Sequence, residues 1–236
     1  MSVSIVIPCY NEEEIIEKVV RSYYQKVISR IADSECIVID DCSSDKTYEI
    51  LQGLKGELPR LDTLRMPRNS GHGKALRLGY EHAQKDFIFQ VDSDNQFEPD
   101  EFWKLYTLKD SYDFILGFRK IRYDPLPRLI LTKTVRLGIY LIFGIWIKDA
   151  NCPFRLIRKK TLKELLELIS PDALAPNIMI SILAKFKKTK MTEVIVTHYP
   201  RKTGKAWLGK LKLIVFSLKG FIQLIALRKR LAICGN

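Results

Sequence analysis

The sequence predicts an α/β fold: a mostly parallel central sheet covered by helices on both faces. Three observations carry that expectation. Short apolar runs of strand length recur through residues 3–118. Segments with apolar residues at helical spacing lie between them. The two kinds alternate, which calls for right-handed crossovers and a sheet buried on both sides. With 236 residues, 47% of them hydrophobic, the chain suffices for one sizeable core.

The elements follow in order. "VSIVIP" (3–8) is an apolar run closed by Pro8, hence a buried strand. Residues 12–31 have helical periodicity, with Glu12, Glu13 and Glu14 in the first turn where the helix dipole favours acids. "CIVID" (36–40) is a strand, and 43–54 a helix that a Ser or Asp can cap. Residues 61–66 read as strand, 73–84 as helix, 86–92 as strand, 99–109 as helix and 113–118 as strand. "TEVIVTHY" (192–199) is a later strand. Two apolar stretches carrying basic residues, 126–148 and 208–231, read as helices.

In such sheets ligands bind at the carboxyl ends of strands. Four strand ends here carry polar loops: "PCYNEEE", "DDCSSDKT", "PRNSGHGKAL" and "DSDNQF". Two of the four hold paired carboxylates, which repel one another unless a cation intervenes. Mg²⁺ or Mn²⁺ commonly bridges one or two carboxylates to a substrate's phosphates. Asp92 and Asp94 are placed for that, with Gln96 adding an amide oxygen or orienting a water. A surface Asx turn at Asp94 and Asn95 is the simpler alternative. A P-loop is excluded, because Arg68 stands at its first Gly position and Ala75 follows Lys74. A dinucleotide fingerprint is excluded too, because no such motif follows the first strand.

Charge is uneven. Residues 1–118 hold 14 Lys and Arg against 21 Asp and Glu, whereas 119–236 hold 25 against 6. A basic half implies an anionic partner, such as a membrane face, a polyanion or a phosphorylated lipid, or else simply solvated basic helices. Five scattered cysteines without a C-x-x-C pair imply reduced thiols and a cytosolic face. The N-terminal apolar run is too short for a signal peptide.

"SIVIPCYNEEEII", "VIDDCSSDKT", "NSGHGKALRLGYEHAQKDFIFQVDSDNQF" and "DANCPFRLIRKK" together resemble the family 2 glycosyltransferases of GT-A fold. Within them the chain is similar to the branch that loads a sugar onto a polyprenyl phosphate, including dolichol-phosphate mannose synthases. The resemblance implies nucleotide contacts at Pro8, Tyr10, Asn11, Glu12, Asp40, Asp41 and Lys74. It implies a Mn²⁺ or Mg²⁺ ion held by Asp92, Asp94 and Gln96. It places acceptor-phosphate contacts at Arg119, Arg128 and Thr132. Arg201, Lys202 and Lys205 match a basic loop closing over the donor, so the expected catalytic set is Asp92, Asp94, Arg119, Arg201, Lys202 and Lys205. Two departures stand out: Cys42 where the family has Gly, and Pro153 in place of Gly before Phe154.

The processive members' Gln-x-x-Arg-Trp motif is absent, since no tryptophan follows an arginine. A hydroxyl acceptor needs a carboxylate base, whereas a phosphate monoester, with a second pKa near ~6, is already largely dianionic and needs cations instead. The resemblance therefore implies inverting transfer from a GDP-mannose- or UDP-glucose-type donor to a polyprenyl phosphate. Transfer to a sugar hydroxyl of a surface glycan is one alternative, and a basic nucleic-acid-binding protein is another, although no nucleic-acid motif accompanies the charge.

The expected organisation is a catalytic domain over 1–207 and a basic amphipathic segment over 208–236. The uninterrupted apolar part of 126–148 covers only 137–147, short of the roughly 20 residues that span a bilayer. Both helices are expected in the interface at the cytoplasmic face, by monotopic attachment or by docking onto a separate membrane subunit.

Overall fold

A computed structural model describes residues 1–123, 126–201 and 210–234, with 127–128, 210–217 and 232–234 as backbone alone. Seven strands form one sheet in the order β3-β2-β1-β4-β6-β5-β7. They are β1 (Val3–Cys9), β2 (Glu35–Asp40), β3 (Leu61–Arg65), β4 (Phe87–Gln90), β5 (Phe114–Arg119), β6 (Arg155–Arg158) and β7 (Met191–Val196). Every ladder is parallel except the two that β6 makes, with β4 and with β5. β1 is wholly buried, as a strand covered on both faces must be.

The helices are α1 (Ile16–Lys26), α2 (Thr47–Glu57), α3 (His72–His82), α4 (Phe102–Tyr106), α5 (Leu126–Phe143), α6 (Lys159–Leu166), α7 (Pro176–Phe186) and α8 (Lys210–Cys234). The sequence places every strand but β6, and misses α6 and α7. Several boundaries differ: α4 and β7 are shorter than expected, and four other differences have local causes or consequences. α1 starts at Ile16 rather than residue 12, because 11–15 forms a turn tied to the β2–α2 loop. α2 starts at Thr47 rather than 43, because Ser43 is bonded to Asp40. β4 ends at Gln90, which puts Asp92 beyond the strand. α5 ends at Phe143 rather than 148, where Gly144 takes a left-handed φ of +68°.

Chain order reverses between β1 and β4: from β1 the sheet grows through β2 and β3 to one side and through β4 to the other. That switch point opens a crevice at the carboxyl ends of both strands. Under the crevice lies an aromatic stack. Phe89 meets Phe154 edge-on with centroids 4.8 Å apart, and Phe154 packs on Phe97 at 5.1 Å. Buried Phe97 thereby anchors the 92–96 loop from below.

α5 and α8 pack against each other, and a Cβ at Gly138 would collide with the Phe221 ring. Their outer surface carries apolar side chains among basic ones: Leu126, Ile130, Leu137 and Leu141 on α5 are exposed, as are Leu218, Ile222 and Ile225 on α8, beside exposed Lys133, Lys219, Lys229 and Arg230. Among the described residues no helix is long and apolar enough to cross a membrane. The expected boundary at 207/208 lies outside the described residues.

Candidate active site

The loop after β1 is built by the loop after β2. Asn11 adopts φ +51°; its N–H donates to Ser43 Oγ at 2.9 Å, and its Oδ1 accepts from Ser44 N at 2.8 Å. Glu12 N donates to Thr47 Oγ1 at 2.8 Å, and Glu13 N to Asp45 Oδ2 at 3.2 Å. Much of "DDCSSDKT" is thus scaffolding for the turn that presents Tyr10, Asn11 and Glu12. Cys42 has φ +61°, a conformation that L side chains seldom adopt, so a glycine is the expected residue there.

Asp41 reaches sideways. Its two oxygens accept from Ser70 N and Gly71 N, each at 2.8 Å, which holds the loop entering α3. Burial pushes its pKa up, a shift the two N–H donors only partly offset. Asp40, expected among the nucleotide contacts, is not at the cleft. It is fully buried, accepts from the N–H and hydroxyl of Ser43, and pairs with Arg65 Nε at 3.3 Å. Its role here is to shape the β2 end.

One cleft of about 1020 Å³ collects most of the remaining expected residues: Pro8, Tyr10, Asn11, Glu12, Asp41, Lys74, Asp92, Asp94, Gln96, Arg119, Thr132 and Arg201. Asp94 is pushed up to about 7, first by burial and then by the charge of Asp92. A carboxylate pair so disfavoured is suited to a divalent cation, whose charge would offset both effects. Among the described residues no three His, Cys, Asp or Glu side chains converge as a closed metal cage. A cation on Asp92 and Asp94 would thus complete its shell with water and a ligand's phosphates, as Mg²⁺ commonly does.

Gln96, expected to offer its amide oxygen at the metal, also lines this cleft; its Nε2 donates to Tyr199 O at 2.8 Å, and Tyr199 N donates back to Gln96 O at 2.9 Å. It ties the Asp92–Gln96 loop to the segment after β7, while its own N–H donates to Asp94 Oδ1 in an Asx turn at 3.2 Å. That same segment brings Arg201 across the cleft, where Nη2 donates to Glu12 Oε1 at 2.6 Å. Burial raises the pKa of Glu12, with Arg201 pulling the other way. Lys74 pairs with Asp172 at 2.7 Å on the rim. Lys202, Lys205 and the Arg128 side chain lie outside the described residues.

Arg119, at the end of β5, is gripped by Asp149: Nε donates to Oδ2 at 2.7 Å and Nη2 to Oδ1 at 3.1 Å. Arg122 stands 3.5 Å from the same carboxylate. Burial alone would raise Asp149, but the two guanidiniums outweigh it and hold its pKa below the usual carboxylate value. The Pro153 departure leaves this loop partnered. Arg155, fully buried on β6, donates to the carbonyls of Ala150, Cys152 and Asn177. The sequence gives no sign that 155–158 is an antiparallel strand, so Arg155 reads there as a loop residue.

His198 is buried against the Phe97 ring at 5.4 Å. His82 pairs with Asp62 on the helix surface at 2.9 Å. His72 is the more informative histidine: it opens α3 and places Nε2 3.8 Å from Asp92 Oδ1. Also beyond sequence reasoning, the cleft runs on into an apolar slot lined by Leu131, Val135 and Ile139 of α5, Ile178 of α7, and Phe221 and Leu224 of α8.

Comparison with known proteins follows the same lines. The family model described as "Glycosyl transferase family 2" matches residues 4–166. An undecaprenyl-phosphate 4-deoxy-4-formamido-L-arabinose transferase of Photorhabdus laumondii is 30% identical over 214 residues, covering 90% of this chain and 64% of that protein. The Edwardsiella ictaluri protein of the same name is 28% identical over equal coverage, so the chain spans just under two thirds of these relatives. Among solved structures, glucosyl-3-phosphoglycerate synthase from Mycobacterium tuberculosis, with Mn²⁺, UDP and phosphoglyceric acid, superposes with TM-score 0.71 at 19% identity, over 96% of this chain and 78% of that one. S. aureus TarS 1-349 in complex with UDP gives 0.65 at 18%, over 97% and 65%. At such identities the structures establish a GT-A-like fold. The family model covers well over half of the chain, and the chain belongs to glycosyl transferase family 2.

Proposed function

We propose that the chain transfers a sugar from a nucleotide-diphosphate sugar to the phosphate of a polyprenyl lipid, with inversion at the anomeric carbon. The observation that carries this reading is the lining of one cleft, which combines the acids at the β1 and β4 ends, the guanidiniums of Arg119, Arg122 and Arg136, and an apolar slot of α5, α7 and α8 side chains. A donor alone leaves the slot without use, and a sugar acceptor leaves both slot and cations without use. A phosphate carried on an apolar chain uses all three. The bacterial relatives are named for an undecaprenyl-phosphate acceptor, and the structural neighbours hold UDP, one of them with Mn²⁺.

In this reading Pro8, Tyr10, Asn11, Glu12, Asp41 and Lys74 surround the nucleotide. Asp92 and Asp94 hold a divalent ion, which would supply charge neutralisation for the diphosphate. Asp149 fixes the plane of Arg119, so little side-chain entropy is lost when the guanidinium meets the acceptor phosphate. An acceptor phosphate oxygen attacks the anomeric carbon. The bond from that carbon to the donor's diphosphate breaks, and the electron pair leaves with the nucleotide diphosphate. The acceptor needs no base, because it arrives as an anion. Thr132 lines the same stretch.

The exposed apolar faces of α5 and α8 support placement on a membrane surface, with the slot opening towards the lipid. Trp146 and Tyr140, half-exposed with ring centroids 6.1 Å apart, suit the headgroup level, and Arg136 lies over the Trp146 ring at 5.0 Å. Residues 1–207 then act as the catalytic domain and the C-terminal segment as its attachment.

The test uses radiolabelled UDP-glucose and GDP-mannose with Mn²⁺ and three acceptors: a polyprenyl phosphate, the same polyprenol without phosphate, and a soluble glycan. Label should enter the organic phase with the phosphate alone. Equal labelling of the polyprenol, or labelling of the glycan instead, would overturn the proposal.

A further inference from the structure

We infer that Asn177 is a positioning residue for Asp92, acting through Gln90 from a helix that contributes no acid to the strand ends. The inference rests on the reading of Asp92 as half of a cation-holding pair. Three buried side chains make a directed line of hydrogen bonds. Tyr80 OH donates to Asn177 Oδ1 at 3.0 Å, Asn177 Nδ2 donates to Gln90 Oε1 at 3.0 Å, and Gln90 Nε2 donates to Asp92 Oδ1 at 3.0 Å. Gln90 is fully buried, Tyr80 is 3% exposed and Asn177 4%.

The direction of the line is set from its carboxylate end. An ionised Asp92 can only accept, so Gln90 must turn its NH₂ towards it. The Gln90 oxygen then faces inward and requires a donor, which fixes the orientation of the Asn177 amide. The Asn177 oxygen in turn requires the Tyr80 hydroxyl as donor. Turning any amide over would set two buried acceptors or two donors against each other, at the cost of an unsatisfied polar group. The far end is rigid: Arg155 Nη1 donates to Asn177 O at 2.9 Å, and Ser181 Oγ donates to the same carbonyl at 3.0 Å. One Asp92 oxygen is committed to the interior, so the line selects the rotamer that offers the other to a cation. This is the arrangement by which outer hydrogen bonds tune metal ligands elsewhere, where their loss costs about 10–100-fold in affinity.

Three variants test it: Asn177→Leu, which keeps the volume but removes both amide contacts; Tyr80→Phe, which removes one hydroxyl and keeps the packing; and Asp92→Asn. Mn²⁺ binding is followed by electron paramagnetic resonance of the free ion, with UDP and in parallel with GDP, beside thermal melts. Asn177→Leu should weaken Mn²⁺ by about tenfold. Tyr80→Phe, losing one hydrogen bond, should weaken it by roughly threefold. At saturating Mn²⁺ both should recover most of the turnover. Asn177→Leu added to Asp92→Asn should cost no further affinity, because the two act through one contact. If both interior variants melt earlier yet bind Mn²⁺ as wild type does, while Asp92→Asn loses it, the line is merely structural and the inference fails. If Asn177→Leu does not fold, Tyr80→Phe decides alone, since wild-type affinity there sinks the inference. If Asp92→Asn itself binds Mn²⁺ unchanged, the underlying reading of the carboxylate pair fails instead.

Discussion

Asp94→Asn should stabilise the metal-free protein at pH 8 and remove sugar transfer. Both effects have one cause. Burial and the charge of Asp92 push Asp94 up to about 7 from its ordinary 3.8. Between those values the folded chain keeps a proton that the unfolded chain has released. The stability due to protonated Asp94 is therefore complete below 3.8 and is lost as pH rises to about 7. Above 7 the buried Asp94 carries its charge beside that of Asp92, and the asparagine removes it. At about 2–4 °C per kcal/mol for a chain of this size, the melting temperature should rise by several degrees at pH 8 and hardly change at pH 4. Mn²⁺ competes with the proton, so it should stabilise the wild type more at pH 8 than at pH 6, and should leave Asp94→Asn unmoved. Turnover should fall by roughly 10²–10³-fold or more, as when a preorganised electrostatic partner of the leaving group is removed. Melting scans across pH, with and without Mn²⁺, check all of this. A variant that melts lower at pH 8, or keeps its Mn²⁺ response, contradicts it.

Asp149→Ala should cost the fold about 3–5 kcal/mol, a large share of the 5–15 kcal/mol typical of a domain. The Arg119 side chain is only 9% exposed and that of Asp149 only 5%. Removing the carboxylate takes from buried Arg119 its bidentate partner and from Arg122 a charge 3.5 Å away, part of what offsets their desolvation. Replacing both partners, as in Arg119→Met with Asp149→Leu, should recover most of the loss, since well-packed apolar residues often match a buried ion pair in stability. That double variant should nevertheless be inactive if Arg119 meets the acceptor phosphate. The pH dependence follows from the lowered Asp149: its contribution is present above the ordinary 3.8 and is lost as pH falls through its lower folded value. Urea denaturation of the two variants measures the cost. A loss under about 1 kcal/mol for Asp149→Ala would mean that the pair is open to water.

The parallel half of the sheet was legible because strands buried on both faces read as continuous apolar runs, and those of β1, β2 and β4 do. β6 escaped notice because "RLIR" is four residues long and opens on an arginine, a residue seldom fully buried. The carbonyls of residues 150, 152 and 177, with the Ser181 hydroxyl and the Phe114 ring, make that burial tolerable, and no local pattern announces them. The acid pair at Asp92 and Asp94 was legible because its spacing is local. The tasks of Asp40 and Gln96 were not, since a carboxylate after a strand looks the same whether it faces the cleft or caps its own loop. The apolar slot was half legible: the amphipathic runs showed in the sequence, but the pairing of α5 with α8 over the cleft depends on contacts roughly 80 residues apart in the chain, such as Arg228 with the Ile142 carbonyl.

Anomalous diffraction from crystals soaked with Mn²⁺ and either UDP or GDP tests the central claim most directly. The account predicts one strong manganese peak at the carboxyl ends of β1 and β4, within coordination distance of Asp92 and Asp94 and of the nucleotide's phosphates. A nucleotide bound in the cleft with no manganese on those two carboxylates, or with manganese elsewhere, would contradict it.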